Sequence, residues 1–297
     1  MAEITATLVK QLRERTGAAM MDCKRALDAT DGDVEAAAEK MRVEGQAKAD
    51  KKASRVAAEG VIGVAVSDQA IVMVEVNCET DFVAKGDDFQ GFANDIARLA
   101  LANPQADVAA LMELQDGGES LDARRRALVA RLGENIAVRR LARVAAAGGG
   151  LSYYLHGARI GVAVSMSAGD EALARDLAMH IAASRPQYLD MQAVPAEAIE
   201  SERRVIEAQS AEQSAGKPPE IVARMIDGKL RKFLAEVTLL GQPFVKDPDQ
   251  TVEKLLKSRQ AQVASFVRLE VGEGIDKQQG DFAAEVMAQA QAQASRG

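Results

Sequence analysis

Ile71-Val72-Met73-Val74-Glu75-Val76-Asn77-Cys78-Glu79-Thr80-Asp81-Phe82-Val83-Ala84-Lys85-Gly86 carries the best strand signal in the chain and, directly behind it, a loop. Residues 71–76 are rich in β-branched side chains, which favour a pleated backbone. Residues 61–66 have the same character, and Ser67-Asp68-Gln69 separates the two runs as a turn, so the pair reads as an antiparallel hairpin. Downstream, Phe89, Phe92, Ala93, Ile96 and Ala100 recur at helical spacing. Residues 77–86 therefore connect a strand to a helix. Binding residues gather on such segments because the flanking elements hold them in place. Two readings of the Asp81-Phe82 pair stand open on pattern alone. Phe82 could tuck under the loop while Asp81 caps the next turn, or the two could form a presented aromatic wedge with a carboxylate at its side.

The bulk properties narrow the function classes. A chain of 297 residues has room for about two domains. With 47% hydrophobic and 27% charged residues it has the apolar material for real cores. Aromatics are scarce and alanine abundant, which favours helix. A net charge of -7 argues against a protein whose main task is to neutralise phosphates. The basic runs at 48–55, 124–126 and 139–143 read as solvated helix faces or linker rather than as RNA contacts. The N-terminus lacks the basic start and apolar core of a secretory signal, and no run approaches the ~18 apolar residues of a membrane span. A cytoplasmic protein without membrane contact is expected. Cys23 and Cys78 lie far apart and outside any Cys-x-x-Cys, and His156 and His180 are the two histidines, so a disulfide framework, a zinc site or a hydrolytic centre is hard to build. No phosphate-cradling glycine loop, dinucleotide fingerprint or nucleophile elbow occurs, since Ser214-Ala215-Gly216-Lys217 runs into Pro218. No cofactor is expected. The profile is that of a binding protein rather than of an enzyme.

Periodicity divides the chain further. Residues 1–54 form an N-terminal unit of three short helices with a linker, in which Leu8, Val9 and Leu12 share one face, Met20, Met21, Lys24 and Leu27 follow, and Val34, Ala37, Ala38 and Met41 make a third stripe. This layout resembles the ubiquitin-associated (UBA) type of protein-binding module. The adjacent Met20 and Met21 suit an adaptable contact surface, although a Met pair at helical spacing also suits a core. Residues 55–147 make a first α+β half, ending in 136–144, where the alternation of Ile136 and Val138 reads as strand and a helix through Leu141 is the alternative. Gly148-Gly149-Gly150 reads as a flexible joint. Residues 148–190 repeat the hairpin-then-helix layout with Leu173, Leu177 and Ile181 on one helical face, and 241–275 continue this second half. Between them, 191–240 read as an inserted antiparallel coiled-coil hairpin of two helices turning at 214–219. Its default roles are self-association or none. Residues 276–297 form a C-terminal module in which Asp281 caps a helix carrying Phe282 and Val286. The hexapeptide Ile-Gly-Val-Ala-Val-Ser occurs at 62–67 and again at 160–165. The first copy leads into a strand and the second into a helix, so the identity reads as coincidence. The repeated layout is the better sign of two similar halves. His156 falls in a hairpin turn, and His180 on a helix face reads as structural.

Residues 77–85, with Leu12-Arg13-Glu14-Arg15-Thr16-Gly17 and Met20-Met21-Asp22-Cys23-Lys24, resemble the bacterial translation elongation factor Ts family. His156-Gly157-Ala158-Arg159-Ile160-Gly161-Val162, Gly216-Lys217-Pro218 and Gly241-Gln242-Pro243-Phe244 extend the likeness over essentially the whole chain. The resemblance implies a guanine-nucleotide exchange factor for elongation factor Tu, a GTPase that carries aminoacyl-tRNA. It implies that Thr80, Asp81, Phe82 and Val83 disturb the Mg2+ site of that partner, with further contacts from the N-terminal helices, the C-terminal helix and the surroundings of His156. It also implies the module order set out above. A pure scaffold, or an RNA-binding factor using the Arg runs, remain competing classes, the latter disfavoured by net charge.

Overall fold

The computed structural model describes residues 4–214 and 217–276. The fold is α+β, with antiparallel sheets and helices outside them. The C-terminal module expected at 276–297 lies, after Asp276, outside the described residues.

Three helices open the chain: α1 (Ala6–Thr16), α2 (Met20–Asp28) and α3 (Val34–Lys52). Thr5 caps α1, Gly17 closes it in the left-handed region, and Asp33 caps α3 by accepting from the Glu35 and Ala36 amides. Val9, Leu12, Cys23, Ala26, Leu27 and Ala37 make a small shared core. Met20 and Met21 stay out of it. The linker expected after residue 46 is helical and continuous with α3, and its end is docked. Ala49 joins the core of the first half, Asp50 pairs with Arg126, and the Lys52 ammonium donates to the Gly133 carbonyl.

The first half is built on β2 (Ala70–Cys78), paired antiparallel with β1 (Glu59–Val66) and with β5 (Ala137–Ala145). The 136–144 segment is therefore strand. Side chains alternate along β2: Val72, Val74 and Val76 face the core under α5 (Asp87–Ala102), while Ile71 and Met73 face the second sheet. Burial on both faces explains why this strand is apolar almost throughout. A short helix α4 (Asp81–Ala84) stands between β2 and α5, and α6 (Val108–Glu113) and α7 (Leu121–Leu132) complete the half. Gly117 and Gly118, both at positive φ, turn a small ladder between Gln115–Asp116 and Glu119–Ser120.

The second half repeats the plan. β6 (Leu151–His156) and β7 (Ile160–Ala168) form a hairpin, α8 (Glu171–Ser184) covers one face, and β10 (Gln262–Glu270) pairs antiparallel on the other side of β7. The hexapeptide copies thus sit on an edge strand in one half and on the central strand in the other. The expected flexible joint is pinned instead: Gly149 and Gly150 donate to Met166 and Gly169 carbonyls, and a Cβ on Gly150 would meet the Asp170 carbonyl at 2.2 Å. Glycine serves close approach there, not mobility.

The two three-stranded sheets pack face to face through Ile62, Ile71, Met73 and Val144 from one and Ala163, Leu269 and Val271 from beyond. The layers run helix, sheet, sheet, helix. A Cβ on Gly161 would touch Ile62 Cγ2 at 2.8 Å, so glycine lets the sheets close. Between α8 and β10 the chain runs out into α9 (Ala196–Ser214) and α10 (Pro219–Val237), which pack against each other with an Arg203–Asp227 ion pair. Two short strands, β8 (Pro243–Phe244) and β9 (Asp247–Thr251), and α11 (Val252–Ser258) bring it back. His180 is fully buried at this return. Its Nδ1 accepts from the Val245 amide and its Nε2 lies 3.0 Å from Gln242 Oε1. Burial pushes its pKa down, and the imidazole is neutral and structural.

Candidate functional site

Thr80 has the extended backbone of an N-cap, and its Oγ1 accepts from the Val83 amide at 3.4 Å, starting the four-residue α4. So short a helix cannot hold itself, because nucleation costs more than one turn returns. Its posture is set from outside. Glu134, just beyond the left-handed Gly133 that ends α7, accepts the Glu79 amide at 3.1 Å, the Thr80 amide at 2.9 Å and the Thr80 hydroxyl at 2.5 Å. In return Glu79 Oε1 accepts the Asn135 amide at 2.7 Å, and the Asn135 side chain donates to the Ala53 and Arg55 carbonyls. From below, Val83 packs on the first core and Ala84 is buried. Sequence pattern alone missed Glu134 and Asn135, since Gly133-Glu134-Asn135 reads only as a helix stop. A carboxylate placed directly after that stop was the available signal.

Held on this turn, Phe82 is 83% exposed, so it does not tuck under the loop. Thr80, not Asp81, is the cap. Asp81 stands in the first turn beside Phe82, with Lys85 Nζ 2.6 Å from its carboxylate, and that bond lowers its pKa. Cys78, at the end of β2, is buried. Burial, together with the nearby Glu134 and Glu59, pushes its thiol up to about 12, so it is no nucleophile at neutral pH.

The other sequence candidates lie on separate elements. Met20, Met21 and Lys24 all project from α2 into solvent, the two methionines at 55% and 68% exposure, which settles them as surface rather than core. His156 is exposed at the end of β6, with Nδ1 3.2 Å from the Tyr154 hydroxyl. The structure presents these groups at three places rather than gathering them into a pocket.

The arginine runs are engaged within the chain. Arg124 bonds Asp95 and Asp116, Arg125 and Arg126 bond Asp122, and Arg143 donates to the Ala100, Asn103 and Ala106 carbonyls. Arg139 and Arg140 both reach the fully buried Glu75. Among the described residues no group of three or more His, Cys, Asp or Glu side chains could hold a metal ion, and no helix is long and apolar enough to cross a membrane.

The fold and site together define an α+β protein that presents an exposed aromatic with a carboxylate at its side, on a turn held from outside by Glu134. The sequence profile described as "Elongation factor TS" matches residues 79–273. Proteins named elongation factor Ts align along nearly their full length. That of Thioalkalivibrio sulfidiphilus is 58% identical over 97% of this chain and 98% of the relative. Those of Alkalilimnicola ehrlichii and Methylococcus capsulatus are each 55% identical, again over 97% of this chain and over 98% and 99% of the relatives. The chain belongs to the elongation factor Ts family.

Proposed function

We propose that the chain is a guanine-nucleotide exchange factor: it binds the GDP complex of elongation factor Tu, disturbs its Mg2+ and phosphate site, and promotes exchange of GDP for GTP without making or breaking a bond itself. The observation that carries this reading is Phe82, a large apolar side chain left 83% exposed on a turn that its neighbours rigidly hold. An exchanger must favour the partner conformation in which phosphate and Mg2+ contacts are broken, so it needs a contact made only in that conformation. Phe82 supplies it as a wedge, and Asp81 acts on the ion site by charge. Thr80 and Val83 serve by holding the turn.

Full burial of one Phe is worth about 1.5–3 kcal/mol, or one to two decades in rate. A larger acceleration requires further contacts, which Met20, Met21 and Lys24 on a UBA-like N-terminal unit and His156 on the second half offer at separate points of the partner. The hairpin of α9 and α10, with Val205 and Ile221 exposed, suits self-association as a coiled coil. The internal engagement of the arginine runs supports a protein partner rather than direct nucleic-acid binding. This profile suits a cytoplasmic protein.

Linkage gives the test. Because the chain and Mg2+-GDP favour opposite states of the partner, excess Mg2+-GDP dissociates the complex with elongation factor Tu on a sizing column. A complex that persists at saturating Mg2+-GDP contradicts exchange and favours a scaffold.

A further inference from the structure

We infer that Glu134 is a positioning residue for the docking turn, holding Phe82 in its working posture through Thr80. This rests on the exchange reading above and adds to it the device that sets the wedge.

The Thr80 hydroxyl has one proton, and the proton goes to Glu134 Oε1 at 2.5 Å. Its oxygen receives the Val83 amide at 3.4 Å. With its proton committed inside the chain, the hydroxyl has no donor left for a partner. Thr80 therefore serves the mounting of the turn through that proton. Glu134 Oε2 meanwhile accepts two successive amides, Glu79 at 3.1 Å and Thr80 at 2.9 Å. One carboxylate thus fixes three donors on the two residues that precede α4, and hydrogen bonds to an ionised acceptor are the stronger kind.

The clamp is itself anchored. Gly133, at φ 82°, ends α7, and its carbonyl receives the Lys52 ammonium from the end of α3. Asn135 is buried, bonds the Ala53 and Arg55 carbonyls, and returns an amide to Glu79. Glu134 thus stands on a loop tied to α3, α7 and β5 and reaches across to the turn. Nothing comparable holds Phe82 itself. Its exposed ring must be aimed by the backbone beneath it, and misplacement of a working group by about 1 Å has large consequences for rate.

The test is a double-mutant cycle on GDP release from elongation factor Tu, using the full chain. Phe82→Ala, Glu134→Ala and the double variant are compared with the parent, and hydrogen exchange at the Glu79 and Thr80 amides is followed in each. Glu134→Ala is expected to lower the acceleration about tenfold and to deprotect both amides. In the Phe82→Ala background the same substitution is expected to cost nothing further, because the group it aims is gone. Thr80→Val, which preserves shape and removes only the hydroxyl, is expected to show the same dependence on Phe82 with a smaller loss, and it serves where Glu134→Ala fails to fold. Equal losses with and without Phe82 would assign Glu134 a merely structural role and overturn the proposal. So would an unchanged acceleration in Glu134→Ala when Phe82→Ala slows release. If Phe82→Ala itself has no effect while the parent chain speeds release, the wedge role of Phe82 fails and this proposal fails with it; if the parent chain does not speed release, the exchange reading fails as well.

Discussion

A large apolar side chain on the surface gains nothing for the fold, and Phe82 makes that concrete. With 83% of it in solvent, Phe82→Ala removes almost no buried area, so thermal unfolding should show a stability within ~0.5 kcal/mol of the parent. A loss of 3 kcal/mol or more, the usual consequence of truncating a core Phe, would mean that the ring is packed. The neighbouring Asp81 is half-exposed, and its partner Lys85 follows on the same short turn. Any cation or donor on a docking surface must compete with that ammonium. The residue scale is also where sequence pattern was least informative. Strand-loop-helix periodicity placed Phe82 on a connection and then left both a tucked ring and a presented one open. The deciding contacts come from Glu134, more than fifty positions away, and no local pattern encodes a bond at that separation.

At the scale of elements, the irregularity between β2 and β5 has an energetic consequence. Glu75 pairs with Arg140 and Val76 with Val138, leaving Arg139 as the extra residue of a bulge. Two residues then oppose one, and both guanidinium groups reach the Glu75 carboxylate, Arg140 at 2.5 Å and Arg139 at 3.2 Å. The Gly272 amide, beyond β10, adds a bond at 2.8 Å, while Arg140 also donates to the Glu270 carbonyl, so the cluster fastens one sheet to the other. Burial alone would raise the Glu75 pKa, but the Gly272 and Asn77 donors and Arg140 outweigh it and hold the pKa below the ordinary value. Glu75→Ala leaves Arg139 with the Glu273 carbonyl, Arg140 with Glu273 and the Glu270 carbonyl, and the Gly272 amide without its acceptor, and chemical denaturation should register a loss of about 2 kcal/mol. The sign in pH follows from the lowered pKa. This stabilisation is complete above the unfolded-state value near 4.5 and is lost as pH falls through the folded-state value, so the variant should lose less stability on acidification than the parent. Equal acid sensitivity would contradict the role. The Arg-rich 139–143 run reads from composition as a solvated face. The bulge that turns it inward depends on pairing with a strand sixty residues earlier, which charge patterning does not carry.

For the whole molecule, the repeated order of hairpin and helix was legible because each half carries its own periodicity, whereas its completion by a third strand in each sheet, β5 and β10, was not read as part of the repeat. The apolar face of α5 and the Leu173, Leu177, Ile181 stripe of α8 are buried as their spacing requires. The sheet-on-sheet contact was not legible, because Gly161, Ile62 and Met73 meet only once both halves exist. The short β8–β9 ladder was missed as well, since the two residues of β8 have no period and β9, Asp247–Thr251, is polar and contains Pro248. The Phe82 turn lies on the first half, the His156 turn on the second, and α2 in the N-terminal unit, so the three groups sit on separate parts of the fold. That spacing suits a protein that grips one partner at several points while a single wedge opens its nucleotide site. The most direct measurement of this claim is the rate at which labelled GDP leaves elongation factor Tu with the chain absent, present, and present as Phe82→Ala. The account predicts faster release with the parent chain and an acceleration about ten- to a hundredfold smaller with Phe82→Ala; equal release with and without the chain, or full acceleration by Phe82→Ala, would contradict it.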